Sequence, residues 1–255
     1  MNRILKYVVL NIIKNKIIIF YTILLSLFSW TAFSLEDNAA KGLLTLLNII
    51  LLIVPLVSIL FSTIYIYNSA EFIELLVSHP IRRSKIWWGL FLGLSFSLVA
   101  AFIVGAGIPI IVFAELAKAI MMLVVGVLIT IIFVAIAFLS SILSRDKARG
   151  IGVSILLWLY FALLFDGLVL FLLFQFADYP VEKMMIIITA FSPIDLSRIL
   201  ILLQLDVSAM LGYTGAIFKE FFGTTIGLLI SFILLLTWMF IPFFLSLYRF
   251  KTKDL

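Results

Sequence analysis

Long apolar blocks, interrupted only by short polar patches, leave this chain few folds to choose from. A bilayer core of ~30 Å takes about 20 helical residues to cross, and in lipid only a helix satisfies its own backbone within one segment. The sequence offers six such blocks: Ile17–Leu35, Leu43–Tyr67, Ile86–Phe113, Ala119–Leu143, Gly150–Phe176 and Phe221–Leu247. With 65% hydrophobic and 12% charged residues among 255, the expectation is an all-α polytopic membrane protein, a single transmembrane domain over residues 1–255. A soluble domain is excluded.

Charge then orients the spans. The N-terminal arm holds Arg3, Lys6, Lys14 and Lys16, and the link between spans two and three holds Arg82, Arg83 and Lys85. Arg145, Lys147 and Arg149 follow span four, and Arg249, Lys251 and Lys253 follow span six. The opposite side holds Lys41, Lys118, Lys183, Arg198 and Lys219 among more numerous acids. An excess of Lys and Arg marks the cytoplasmic side, so both termini are expected in the cytoplasm and the chain in the inner membrane. No basic segment forms a soluble domain, so a nucleic-acid partner is not expected.

Met184–Leu205 is apolar enough to suggest a seventh span. Ser192-Pro193 breaks it into two pieces of about ten residues, too short to cross. A seventh crossing would also carry the basic tail outside. Residues 177–220 are therefore read as an outer-face region of short amphipathic helices. At the other end, Ile4, Leu5, Val8, Val9, Ile12 and Ile13 recur at helical spacing, with Arg3, Lys6, Asn11 and Lys14 away from them. That pattern describes an interfacial amphipathic helix over residues 1–16. The first apolar block runs into Glu36-Asp37 and not into a small-residue cleavage site, so it is expected to be retained. The absence of cysteine removes disulfides, thiolate metal sites and cysteine nucleophiles.

The most specific segment runs from Tyr67 to Gly89. Phe72, Leu75 and Leu76 stand at helical spacing, flanked by Glu71 and Glu74, and Pro80 disfavours helix at His79, so a short helix over 70–79 ends near Ser78. Arg82, Arg83 and Lys85 follow at headgroup level, and Trp87 and Trp88 are expected in the aromatic belt, so together these five residues read as a membrane-surface anchor. Exposed apolar knobs on so short a cytoplasmic helix call for a groove on a partner protein.

The run Glu74-Leu-Leu-Val-Ser78-His-Pro80-Ile-Arg82-Arg83, followed by a glycine-containing span, resembles the coupling-helix region of type-2 ABC-transporter permeases. The resemblance covers the whole chain: residues 1–16 are similar to that family's elbow helix, and the six spans and inward termini match its layout. It implies a permease subunit without a catalytic site, whose helix at Glu71, Phe72, Glu74, Leu75, Leu76 and Ser78 docks on a separate ABC ATPase. The chain has no Gly-x-x-x-x-Gly-Lys phosphate loop, so ATP and Mg²⁺ would be held by that ATPase. Asn68-Ser69-Ala70 departs from the Arg-x-x-Gly-Thr stretch of many members.

Phe191–Leu200 and Asp206–Gly215 further resemble permeases of the NosY type, as does Phe165-Asp166-Gly167. That branch implies a role in maturing the copper enzyme nitrous oxide reductase, with a NosF-like ATPase, a second copy of the chain and a NosD-like periplasmic protein as partners. Asp195, Arg198 and Asp206 are the outer-region candidates. Two rival readings stay open: a general type-2 exporter of a drug, lipid or polysaccharide, and a non-transporting anchor for a periplasmic partner.

Asp166 is the one carboxylate well inside a span, and an intramembrane charge is a functional candidate by default. The sequence shows no second carboxylate inside a span, and no second buried carboxylate is expected to complete a relay, so a structural tie to a neighbouring helix is the favoured reading. Copper would call for soft ligands. Met121, Met122, Met184, Met185 and Met210 occupy ordinary helix positions, His79 is the single histidine, and no metal site is expected in this chain.

Overall fold

The computed structural model describes residues 2–36, 38–144, 146–176, 187–205 and 224–252. Lys183, Asp206 and Lys219, the methionines at 184, 185 and 210, and most of the 177–220 region lie outside the described residues. So do Asp37, Arg145 and Lys253.

Among the described residues every regular element is helical, and six helices are long and apolar enough to cross a membrane. Helix α1 (Asn2–Ile13) precedes span one, α2 (Lys16–Leu35), and span two, α3 (Ala39–Asn68). The short α4 (Ala70–Ser78) leads into span three, made of α5 (Arg83–Phe102), a π-turn at Ile103–Gly107 and α6 (Ile108–Phe113). Span four is α7 (Leu116–Leu143). Span five comprises α8 (Lys147–Leu159), a second π-turn at Tyr160–Leu164 and α9 (Phe165–Gln175). Then come α10 (Pro193–Gln204) and span six, α11 (Thr225–Thr252).

Polar side chains set the starts of spans one, two and five. Asn15 Oδ1 accepts from the Ile17 amide at 2.9 Å, Asn38 Oδ1 from Ala40 at 3.0 Å, and Asp146 Oδ1 from Arg149 at 2.7 Å. Each satisfies a donor that the first helical turn leaves unpaired. Pro109 follows the first π-turn and lacks an amide hydrogen, and the widened turn there absorbs the interrupted bonding ladder.

Span four is the axis of the bundle, packed on spans two, three, five and six and on α10. Its Ile129, Ile132, Phe133, Val134, Ala135 and Phe138 are fully enclosed. The flank of span five instead exposes Leu163, Leu170, Phe171 and Phe174, and span one exposes Phe20, Ile23 and Leu27, as lipid-facing surfaces do.

Helix α1 lies along span three. Ile4, Val8 and Ile12 are its buried stripe, and a Cβ at Gly89 or Gly93 would come within 3.0 Å of Ile4 Cγ2 or 2.6 Å of Val8 Cγ1. The Gly89-x-x-x-Gly93 pair is thus the seat of α1, a close approach that only glycine permits. Helix α10 is less superficial than an amphipathic outer helix: Ile194, Asp195, Leu196, Ser197, Leu200 and Ile201 are all buried against spans two, four and six.

Candidate functional site

Two polar constructions stand out, one at each end of the bundle. The end that gathers Lys14, Lys16, Arg83, Lys85, Lys147, Arg149, Arg249 and Lys251 is here the basic end. Arg83 Nη1 donates to the Lys251 carbonyl at 3.3 Å, so the starts and stops of spans three and six meet there.

Helix α4 caps this end. Its Ile73 is buried, and Leu76 and Val77 pack against the core, while Glu71, Glu74, Leu75 and Ser78 are exposed. Ser78 Oγ donates to the Leu75 carbonyl at 2.8 Å and His79 Nδ1 lies 2.9 Å from the same oxygen, which closes the helix before Pro80. The outward stripe is therefore Glu71, Glu74, Leu75 and Ser78. Leu75 projects with 63% exposure, whereas Phe72 is half-buried with its ring centroid 5.1 Å from that of Tyr7 in α1. The apolar triplet Phe72, Leu75 and Leu76 is thus split between body and surface, because burial of Ile73 rotates the helix.

The aromatic pair that follows also differs from its expected place. Trp87 is 1% exposed, donates Nε1–H to Ser246 Oγ at 3.0 Å, stacks on Phe250 and meets Phe138 edge-to-face, at centroid distances of 4.2 and 4.8 Å. It is a core residue joining spans three, four and six, and not an interfacial anchor. Trp88 is half-buried on Phe243 at 4.4 Å. Arg82 and Lys85 are exposed and Arg83 half-buried.

Directly behind α4 a cavity of about 180 Å³ is lined by Tyr67, Ile73, Glu74, Trp87, Ser141 and Phe250, among others. A polar seam runs beside it. Tyr67 donates its hydroxyl to the Ser141 carbonyl at 3.1 Å, Lys147 Nζ donates to Asn68 Oδ1 at 2.7 Å, and the Thr63 and Ser154 hydroxyls lie 2.7 Å apart. Ser154 also meets Ser140 at 3.1 Å. The seam joins the foot of α4 to spans four and five.

At the opposite end Asp166 of span five meets α10. Arg198 Nη1 donates to both oxygens of Asp166, at 2.9 and 2.8 Å, and to Asp195 Oδ1 at 3.2 Å. Asp166 and Arg198 are about one-third exposed at their side chains, and Asp195 is buried. Two carboxylates share one guanidinium, so the cluster carries a net negative charge when both are ionised. Burial, reinforced by the neighbouring Asp166, raises the Asp195 carboxyl to about 7 against the opposing pull of Arg198. The sequence-stated candidates Asp166, Asp195 and Arg198 are brought together; Asp206 is outside the described residues.

Three residues at these sites had no individual sequence signal: Tyr7, which supports Phe72, and Thr63 and Ser154, whose hydroxyls meet across 91 residues of chain. Single Ser and Thr residues are too common in membrane helices to stand out. Among the described residues no group of three or more His, Cys, Asp or Glu side chains is placed to hold a metal.

An ATP-binding loop is absent from the sequence, a short helix with an acidic and apolar outer stripe caps the basic end, and six membrane helices stand behind it. Comparison with curated proteins finds no match. A profile described as ABC-2 family transporter protein matches residues 4–255. Over nearly its whole length, then, the chain belongs to the ABC-2 transporter family, whose members are membrane permease subunits of ABC transporters and imply an ABC ATPase as partner.

Proposed function

We propose that this permease subunit pairs with a second copy of itself and with two ABC ATPase subunits, and that α4 is where the ATPase pushes. The carrying observation is the outer stripe of α4, with Leu75 projecting between Glu71, Glu74 and Ser78 while Ile73 holds the opposite side of the helix to the bundle. A single projecting apolar side chain flanked by carboxylates suits a groove with an apolar floor and basic rim. ATP and Mg²⁺ belong to the ATPase; this chain performs no covalent chemistry. The basic end faces the cytoplasm in this reading, with both termini inside and the chain in the inner membrane.

The process served is maturation of a copper enzyme, nitrous oxide reductase, through a NosF-like ATPase and a NosD-like periplasmic partner. The support is the similarity of Phe191–Leu200 and Phe165-Asp166-Gly167 to NosY-type permeases. The experiment is purification of the tagged chain from native membranes with identification of what accompanies it. An ABC ATPase together with a periplasmic protein of that maturation system is the expected result. An ATPase accompanied by neither that protein nor any effect of gene deletion on reductase copper content contradicts the maturation role. Absence of any ATPase contradicts the coupling role of α4.

A further inference from the structure

We propose that span five is the transmission element of this permease: motion of α4 enters it at Thr63, Tyr67 and Asn68 of span two and leaves it at Asp166, which moves α10 through Arg198. The inference rests on the reading of α4 as the ATPase contact for the source of the motion. The line of contact itself is independent of that reading.

Span five is clipped to span two along its first half. Asn68 faces Lys147 at 2.7 Å, and Thr63 faces Ser154 at 2.7 Å. Between these two pairs Tyr67 lies so close over Gly150 that a Cβ there would clash with its hydroxyl, Cζ and Cε2. Further along, Trp158 Nε1 donates to the Leu52 carbonyl at 3.1 Å. The partners descend along span two as they climb along span five, so the antiparallel helices share one register. Asn68 and Ala70 are separated by a single residue, so the first clip sits at the root of α4. A displacement of α4 that moves Asn68 or Tyr67 must either break these contacts or carry α8 with it.

The far half of the same span carries the other attachment. Asp166 lies 19 residues beyond Lys147, which at 1.5 Å per residue is about 28 Å, close to the thickness of the hydrocarbon core. There Arg198 grips both carboxylate oxygens. Between the clipped half and this grip stands the π-turn Tyr160–Leu164, a wider turn at which α8 and α9 can change their relative rotation. Spatial continuity alone does not make a coupling path, and the decisive property is non-additivity between its two ends.

The experiment is a double-variant cycle read by amide hydrogen exchange in lipid nanodiscs. Thr63→Val and Gly150→Ala each disturb the inner clips, Asp166→Asn weakens the outer grip, and exchange is followed in residues 193–204. Thr63→Val keeps the side-chain volume and leaves Ser154 bonded to Ser140, so it serves if Gly150→Ala does not fold. In the parent chain each inner variant is expected to accelerate exchange of 193–204 by about threefold or more, with residues 83–102 unchanged. In the Asp166→Asn background the same variants should add nothing. An unchanged 193–204 segment in the parent, or equal effects in both backgrounds, overturns the proposal.

With the co-purified ATPase present, trapping it with nucleotide should alter protection of 193–204 in the parent and not in Asp166→Asn. A bound ATPase whose nucleotide state leaves 193–204 untouched also overturns it. Failure of the ATPase to bind removes the reading of α4, and the cycle on the permease alone still decides span five.

Discussion

Arg198 holds both carboxylate oxygens of Asp166 from 32 residues away through a single nitrogen, Nη1, at 2.9 and 2.8 Å. The same nitrogen reaches Asp195 one turn back in its own helix, at 3.2 Å. Removing either end of this bridge therefore has unequal consequences. Asp166→Leu takes away one acceptor and leaves Arg198 with Asp195. Arg198→Ala strands a buried carboxylate. Hydrogen bonds to charged groups contribute ~1.5–3 kcal/mol. Asp166→Asn, which keeps an acceptor oxygen, should cost less than Asp166→Leu, and Arg198→Ala should cost most. Unfolding of the detergent-solubilised protein measures the order; equal midpoints for all three would show that the bridge contributes nothing.

Asp195 makes the end of the bundle opposite the basic one sensitive to pH. Its carboxyl titrates near 7 in the folded protein because burial disfavours the anion, against about 3.8 without the fold. A folded value above the unfolded one means the folded state binds more protons between them, so this group's contribution is fully present below pH ~4 and is lost as pH rises through 7. The parent should lose stability between about pH 4 and 7 more steeply than Asp195→Asn. Parallel pH profiles for the two chains would refute this.

The seat of α1 on span three is a close helix contact at the basic end. Gly93→Val places new atoms into Val8, whose Cγ1 is already 2.6 Å from an added Cβ, and overpacking of this kind costs ~1–3 kcal/mol. Helix α1 should lift from span three, and a cysteine at Ile12, buried in the parent, should become reactive toward a thiol reagent. The native chain contains no cysteine, so the label reports that site alone. Continued protection of Ile12→Cys in the Gly93→Val protein would count against this packing.

The orientation argued from Lys and Arg has its own check. Lys147 and Asn38 are both exposed, at opposite ends of the bundle. In intact cells a membrane-impermeant thiol reagent should label Asn38→Cys and spare Lys147→Cys until the membrane is opened. Labelling in the reverse order would invert the topology.

Much of the architecture was legible because the bilayer imposes one length on apolar runs and one sign on flanking charge. Among the described residues each of the six blocks is helical, and the buried stripe Ile4, Val8 and Ile12 was visible from its spacing, although Ile13, read into the same stripe, is exposed. Ends were less legible: span two starts at Ala39, four residues before its strongly apolar run, because Asn38 caps it. Neither π-turn had a sequence signature beyond the nearby Pro109 for the first. The rotation of α4 was hidden because Phe72, Leu75, Leu76 and Ile73 are all apolar. Only the body they pack against decides that Ile73 turns inward and Leu75 outward. Trp87 was misplaced for a related reason, since a tryptophan at a span's edge suits an aromatic belt as well as a cage of phenylalanines. Asp166 was conspicuous in sequence, but its partner was not, because pairing across 32 residues depends on how α10 folds back into the bundle.

Affinity between the permease and its ATPase, measured in nanodiscs for the parent and for Leu75→Ala, tests the central claim most directly. Leu75 is 63% exposed, so its truncation should change folding stability by no more than ~0.5 kcal/mol. As the central anchor of an interface it should cost ~2 kcal/mol of binding, about thirtyfold in affinity. Glu71→Lys should also weaken binding, with a salt dependence that Leu75→Ala lacks. The account predicts a folded Leu75→Ala permease that has lost most of its ATPase affinity. A folded variant that binds the ATPase as tightly as the parent would contradict it.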